Sequence, residues 1–191
     1  MIYHQRNLPH WLPEGKNLFL TWRLHGSLPE VVLAALHKNN ELADGKKFLR
    51  LDRELDGAGF GPVWLKESRI ASVVVSVIHA VARRHMCVVH AYAVMPNHVH
   101  MLLEPKVELR QITRAIKGNS ARTCNDLLHR TGLPFWQEES YDHWVRTSAS
   151  FGKIRRYIER NPVSAGLAKA PEDWEWSSAF RCSKSSTGFS L

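Results

Sequence analysis

The chain is expected to fold as an α+β protein, with helices packed on a central, largely antiparallel sheet. Three observations carry this. The apolar periods run in the order β-α-(loop)-α-β-β-α-β-α. Two apolar runs, "AYAVM" and "HVHMLLEP", meet at Pro96-Asn97, the signature of a turn between adjacent strands. The length, 191 residues, suits one domain with a real core, since 44% of residues are hydrophobic and 23% charged. That domain is expected to span 1–182, with the serine-rich end 183–191 as a flexible tail.

The elements follow in order. "NLFLTWRLHG" has strand composition, with Leu18, Leu20, Trp22 and Leu24 on one face. Pro29 opens a short helix, "PEVVLAALHK", where a missing N–H does no harm. Residues 39–66 are polar and broken by Gly57, Gly59, Gly61 and Pro62. They read as a connection with room for a short helix near Phe48 to Leu55. "SRIASVVVSVIHAVARRH" is valine-rich, yet Ile70, Val73, Val74, Val77, Ile78 and Val81 keep helical spacing. Arg83 and Arg84 suit its C-terminus.

Met86 to Met95 reads as a strand and His98 to Leu103 as its return. A long helix follows from about Glu108 to Leu128, then a strand from Asp142 to Arg146. Ser148 or Ser150 can cap the last helix, which is expected to stop before Asn161-Pro162 because proline disfavours the helical state of its predecessor.

Charge narrows the partners. Lys and Arg number 26 against 18 Asp and Glu, and the pI is near 9.7. Such an excess favours a polyanion, nucleic acid above all. Cys87, Cys124 and Cys182 show no paired spacing and read as reduced thiols. The N-terminal stretch lacks a signal-peptide core, and no apolar run reaches the roughly 18 residues that span a bilayer. A cytoplasmic, nucleoid-associated protein without a membrane partner is expected.

The return strand holds the first chemical signal. Side chains alternate along a strand, so His98 and His100 point to one face and Val99, Met101 and Leu103 to the other. Two such imidazoles can share a metal ion, or stand as two satisfied histidines. A third ligand and a reacting group decide between these readings.

"SASFGKIRRYIERNPVSAGL" can supply both. Phe151, Ile154 and Ile158 form an apolar stripe. Tyr157 and Asn161 lie one turn apart on its flank, and Lys153, Arg156 and Arg160 lie beyond. A border tyrosine often only packs its ring, but here it could also meet a phosphate. Tyr141, in "SYDHW", is the alternative nucleophile. It lacks an amide one helical turn later. Tyr92 reads as core.

"YAVMPNHVHMLLEP" and "YIERNPVSAGL" together resemble the single-tyrosine HUH transposases, named for a His, a bulky hydrophobic residue and a His. The likeness is strongest to their REP-associated branch, linked to repetitive extragenic palindromes. It extends from "LFLTWRLHG" through "GPVWLKESRIA" to "EDWEWSSAF". It implies the HUH, ferredoxin-like transposase fold, and a single-strand DNA endonuclease and strand transferase that acts on hairpin or palindromic DNA. His98 and His100 match the metal pair, Tyr157 the nucleophile and Asn161 the third ligand. His143 matches a histidine recurrent in the branch and is a possible active-site neighbour. Insertion-sequence relatives are dimers that share sites, whereas the REP-associated branch acts as monomers, so monomer and homodimer both stay open.

The chemistry follows. Mixed nitrogen and oxygen ligation suits Mg2+ or Mn2+, which would offset charge on a scissile phosphate. A free phenol has a pKa of about 10, so about one in a thousand is ionised at neutral pH. Lys153, Arg156 and Arg160 favour the phenolate. A 5′-phosphotyrosine would keep the phosphodiester energy for rejoining. DNA contacts are expected from these cations and from a stripe on the preceding long helix, Arg110, Arg114, Lys117 and Arg122. Trp136 and Trp144 can stack on bases, whereas Trp22 and Trp64 suit a core.

Rival readings are a phosphohydrolase that uses bound water and a catalytically silent nucleic-acid-binding module. A structural zinc site is disfavoured because the cysteines lack ligand spacing.

Overall fold

The structure, a computed structural model, describes residues 16–38, 44–57 and 59–181. The expected tail and Cys182 lie outside the described residues. Strand β1 (Asn17–Leu24) leads into α1 (Glu30–Lys38) and α2 (Asp44–Asp56). A 3-10 turn (Trp64–Lys66) precedes α3 (Ser68–Arg83), and β2 (Cys87–Val94) and β3 (His98–Pro105) form a hairpin. Then come α4 (Leu109–Leu127), β4 (Trp136–Val145), α5 (Ser148–Ser164) and a 3-10 turn (Pro171–Asp173).

The strands form one four-stranded sheet in the order β2-β3-β1-β4, and every neighbouring pair is antiparallel. β1 and β2 therefore run parallel with β3 between them. This is the split βαβ arrangement of ferredoxin-like folds, and the sequence expectation holds. Leu20 faces Met101, Thr21 faces His100 and Arg23 faces His98 across β1 and β3.

That register sorts the side chains. Leu20, Trp22, Leu24, Val99, Met101, Leu103, Tyr92 and Val94 form the main core with Ile70, Val74 and Ile78 of α3 and Ile112 and Ile116 of α4. Burying each large apolar side chain is worth ~1.5–3 kcal/mol. Phe19, Ala91, Ala93 and Leu102 look the other way and meet Phe48 of α2 and Ile158 of α5. Small Ala91 and Ala93 let α5 lie close over β2 and β3. The histidines share this second face.

Three elements differ from expectation. The short helix near Phe48 to Leu55 is a full helix of 13 residues. Phe48, Asp52 and Leu55 recur at helical spacing and are all buried, but polar residues between them hide the pattern. β4 starts at Trp136, not Asp142, because Trp136 is buried edge-on against Trp22 and its indole donates to Ser120 Oγ at 2.9 Å. α5 runs through Pro162 to Ser164. Ile158, Asn161 and Pro162 are all buried there, and that packing outweighs the local penalty of proline. Its cap is Thr147, whose hydroxyl accepts from the Ser150 amide at 3.1 Å.

One close approach fixes the loop after α2. Gly61 has φ +74°, and a Cβ there would stand 2.1 Å from the Gly26 carbonyl oxygen. Only glycine fits where this loop crosses the end of β1.

Candidate functional site

The site is built on the second face of the sheet. The hairpin turn places Asn97, His98 and His100 in the interior, each 0% exposed. Met95 N–H donates to the His98 carbonyl at 2.8 Å and closes the turn. The Asn97 amide nitrogen donates to the Leu55 carbonyl of α2 at 2.9 Å. Its oxygen therefore faces His98 Nδ1, 2.7 Å away. An amide oxygen only accepts, so His98 must carry its proton on Nδ1. Nε2 is left bare, the form in which imidazole binds a cation. His100 Nδ1 lies 2.8 Å from the Thr21 hydroxyl.

The two Nε2 atoms face each other at 3.1 Å. Asp52 of α2, 3% exposed, sends Oδ1 to 3.1 Å from His100 Nε2 and 3.6 Å from His98 Nε2. Its Oδ2 accepts hydrogen bonds from the Tyr157 hydroxyl and, at 3.3 Å, from Asn161 Nδ2. The His100 and Tyr157 rings are 5.7 Å apart. Thus His98, His100, Tyr157 and Asn161 meet at one carboxylate that sequence reasoning did not single out. Its signal was a carboxylate inside a buried helical stripe.

Electrostatics follow from burial. Burial pushes the His98 imidazole down to about 3, with His100 adding to the shift and Asp52 opposing it. Burial also acts to raise Asp52, but the charge and hydrogen bond of His100, the charge of His98 and the Asn161 amide outweigh it and hold the carboxyl below its ordinary value. Asp56, one turn along α2, is raised to about 7 by burial and by the charge of Asp52. Its Oδ1 lies 3.7 Å from His98 Nε2.

These residues fit a divalent metal. Ligand atoms of Asp52, His98 and His100 lie within 4.8 Å of one another. Among the described residues, Asp56 Oδ1 and Asn161 Oδ1 are buried without hydrogen-bond partners, an arrangement that is costly unless a cation fills the gap. An aromatic wall surrounds the cluster. Phe19 stacks on His100 at 5.8 Å, and Phe48 stacks on Tyr141 at 4.4 Å. Tyr141 thus lies on the site face as well, whereas Tyr92 meets His79 (3.1 Å) in the main core.

The remaining predicted residues are placed as follows. His143 stands opposite Phe19 in register, on the site face of β4, and is exposed. Lys153, Arg156 and Arg160 are exposed on α5. Arg110, Arg114 and Arg122 are exposed on α4, a helix packed on the opposite face of the sheet. Lys117 is not on an open stripe. Its ammonium donates to the Gln137 and Glu138 carbonyls at 2.7 and 2.8 Å and to Ser140 Oγ at 3.2 Å. It pins the segment between Trp136 and Ser140, where β4 bulges away from β1. Trp136 is core, and Trp144, opposite Leu18, faces the α3–α4 side.

No helix among the described residues is long and apolar enough to cross a membrane. The REP-associated tyrosine transposase of Escherichia coli (strain K12) is 29% identical over 97 residues, which cover 49% of this chain and 54% of that protein. The match thus spans about half the length of the relative. A solved structure of a REP-associated tyrosine transposase bound to a REP hairpin shares the fold. It superposes with a TM-score of 0.56 at 19% identity and covers 93% of this chain and 82% of that one. Residues 63–161, over half of the chain and including both histidines, Tyr157 and Asn161, match the family model described as Transposase IS200 like, and the chain belongs to that family.

Proposed function

We propose that this chain is a single-strand DNA endonuclease and strand transferase that cuts and rejoins hairpin DNA through Tyr157. The observation that carries the reading is the convergence of the Tyr157 hydroxyl with His98 and His100 on one buried carboxylate. Family membership supports the reaction class. A relative bound to a REP hairpin supports a palindromic DNA substrate, and such a substrate would place the protein with the chromosome, in the nucleoid. The groups meet within a single chain, which favours a site complete in the monomer.

The residues divide the work. His98, His100 and Asn161 would hold Mg2+ or Mn2+. The bound cation supplies Lewis-acid polarisation of a non-bridging phosphate oxygen. Tyr157 Oη attacks the phosphorus as the P–O3′ bond breaks. The phosphoryl group stays on Tyr157 with the 5′ strand, and the departing 3′-oxygen takes up a proton. Asp52 Oδ2 holds the phenol hydrogen beforehand and is the acceptor through which it leaves. The reverse attack by a 3′-hydroxyl reseals the strand without ATP. Lys153, Arg156 and Arg160 lie on the same helix as Tyr157 and offer charge to the flanking phosphates. His143 stands on the same sheet face and would line the path of the strand.

The test is incubation with single-stranded hairpin oligonucleotides and Mn2+, read on a denaturing gel. Wild type should give a slow protein–DNA band, and Tyr157→Phe should lose it while still binding DNA. Cleavage that persists in Tyr157→Phe without an adduct would replace this reading with hydrolysis by bound water. Salt-sensitive binding without any cleavage would replace it with a silent binding module.

A further inference from the structure

Asp52 lies upstream of residues 63–161, so the family match assigns it nothing. Its setting on α2 nevertheless demands a partner. The two carboxylate oxygens face different groups. Oδ1 faces the Nε2 atoms of both imidazoles, 3.1 Å from His100 and 3.6 Å from His98. Oδ2 is filled by Tyr157 and Asn161. The Asn97 bridge to Leu55 turns the Nε2 edge of His98 toward the same carboxylate. Asp56 brings a second carboxyl to within 3.7 Å of the same nitrogen. One carboxylate oxygen and two imidazole nitrogens, all within 4.8 Å of one another and buried, form the donor set of a divalent cation.

We propose that Asp52 is the anionic ligand of the cation held by His98 and His100, and that its second oxygen positions the Tyr157 phenol. α2 thereby ties cation binding to placement of the nucleophile. This rests on the cation-assisted reading above and adds a ligand from outside the two motifs. The carboxylate adds the negative charge that two histidines lack, and so favours hard divalent ions.

The test is Mn2+ binding to the full chain without DNA, by calorimetry, with folding checked by circular dichroism. Asp52→Asn keeps the volume of the side chain and should weaken Mn2+ binding tenfold or more. Asp52→Cys, with a soft ligand in place of a hard one, should lose Mn2+ and gain Cd2+, seen as a thiolate-to-metal ultraviolet band. That gain of binding keeps the test decisive if Asp52→Asn folds poorly. Unchanged Mn2+ affinity in a folded Asp52→Asn, or no band in Asp52→Cys, would overturn the proposal. If His98→Ala abolishes binding while Asp52→Asn does not, only the role of Asp52 falls. If wild type binds no Mn2+, the cation reading falls with it.

Discussion

Asn97 and His98 are bound side chain to side chain, Oδ1 to Nδ1, at 2.7 Å in the fully buried turn of the β2–β3 hairpin. The orientation of the amide comes from α2, through the Leu55 carbonyl. A helix far away in sequence therefore sets which nitrogen of a site histidine is bare. Asn97→Ala would leave the Leu55 carbonyl unpaired, at a cost of about 1–3 kcal/mol. It would also let His98 adopt the other tautomer. Outer partners of this kind are worth about 10–100-fold in metal affinity. Urea unfolding and Mn2+ titration of Asn97→Ala should show both losses. Asn97→Asp, which can still accept from Nδ1, should recover more of the affinity than of the stability.

Lys117 predicts a pH dependence. Burial pushes its ammonium down to about 8, Glu138 and Glu139 oppose the shift and Arg23 adds to it. A base depressed on folding binds fewer protons folded than unfolded between about pH 8 and its ordinary value of 10.5. Its contribution to stability is therefore flat below pH 8 and rises with pH through that window. Comparing denaturant unfolding of wild type and Lys117→Met at pH 7.5 and pH 10 should show the difference move in favour of wild type by on the order of 1–2 kcal/mol. A difference constant with pH would mean that the ammonium is not desolvated under β4.

The two basic helices should behave differently. The α5 cations stand on the helix that bears Tyr157, whereas the α4 arginines stand behind the sheet. Arg156→Gln and Arg160→Gln should each lower the slope of log affinity against log salt by about 0.7 for single-stranded DNA. Each should also reduce adduct yield on bound substrate. Arg110→Gln and Arg114→Gln should weaken hairpin binding without changing adduct yield once the DNA is bound. Salt titrations by fluorescence anisotropy, paired with single-turnover gels, separate these outcomes.

Legibility in the sequence varied with the kind of signal. The strand alternation that puts His98 and His100 on one face, and the helical step that puts Tyr157 beside Asn161, are local periods, and both hold in the fold. That the two pairs meet follows from Ala91 and Ala93, whose small side chains admit α5; nothing local announces that contact. Asp52 was missed because α2 is polar on most sides, so its buried stripe of Phe48, Asp52 and Leu55 is too sparse to read. Lys117 keeps helical register with Arg110 and Arg114, yet tertiary contact with the β4 bulge takes its charge. Proline at 162 signals a helix end that packing overrides.

The central claim is that one phenol carries the cut strand. Wild-type protein should be incubated with a hairpin oligonucleotide and Mn2+, then digested with protease and nuclease and analysed by tandem mass spectrometry. The account predicts a nucleotide remnant on Tyr157, joined through phosphorus, and a free 3′-hydroxyl on the released strand. A remnant on Tyr141, or cut DNA with no modified tyrosine, would contradict it.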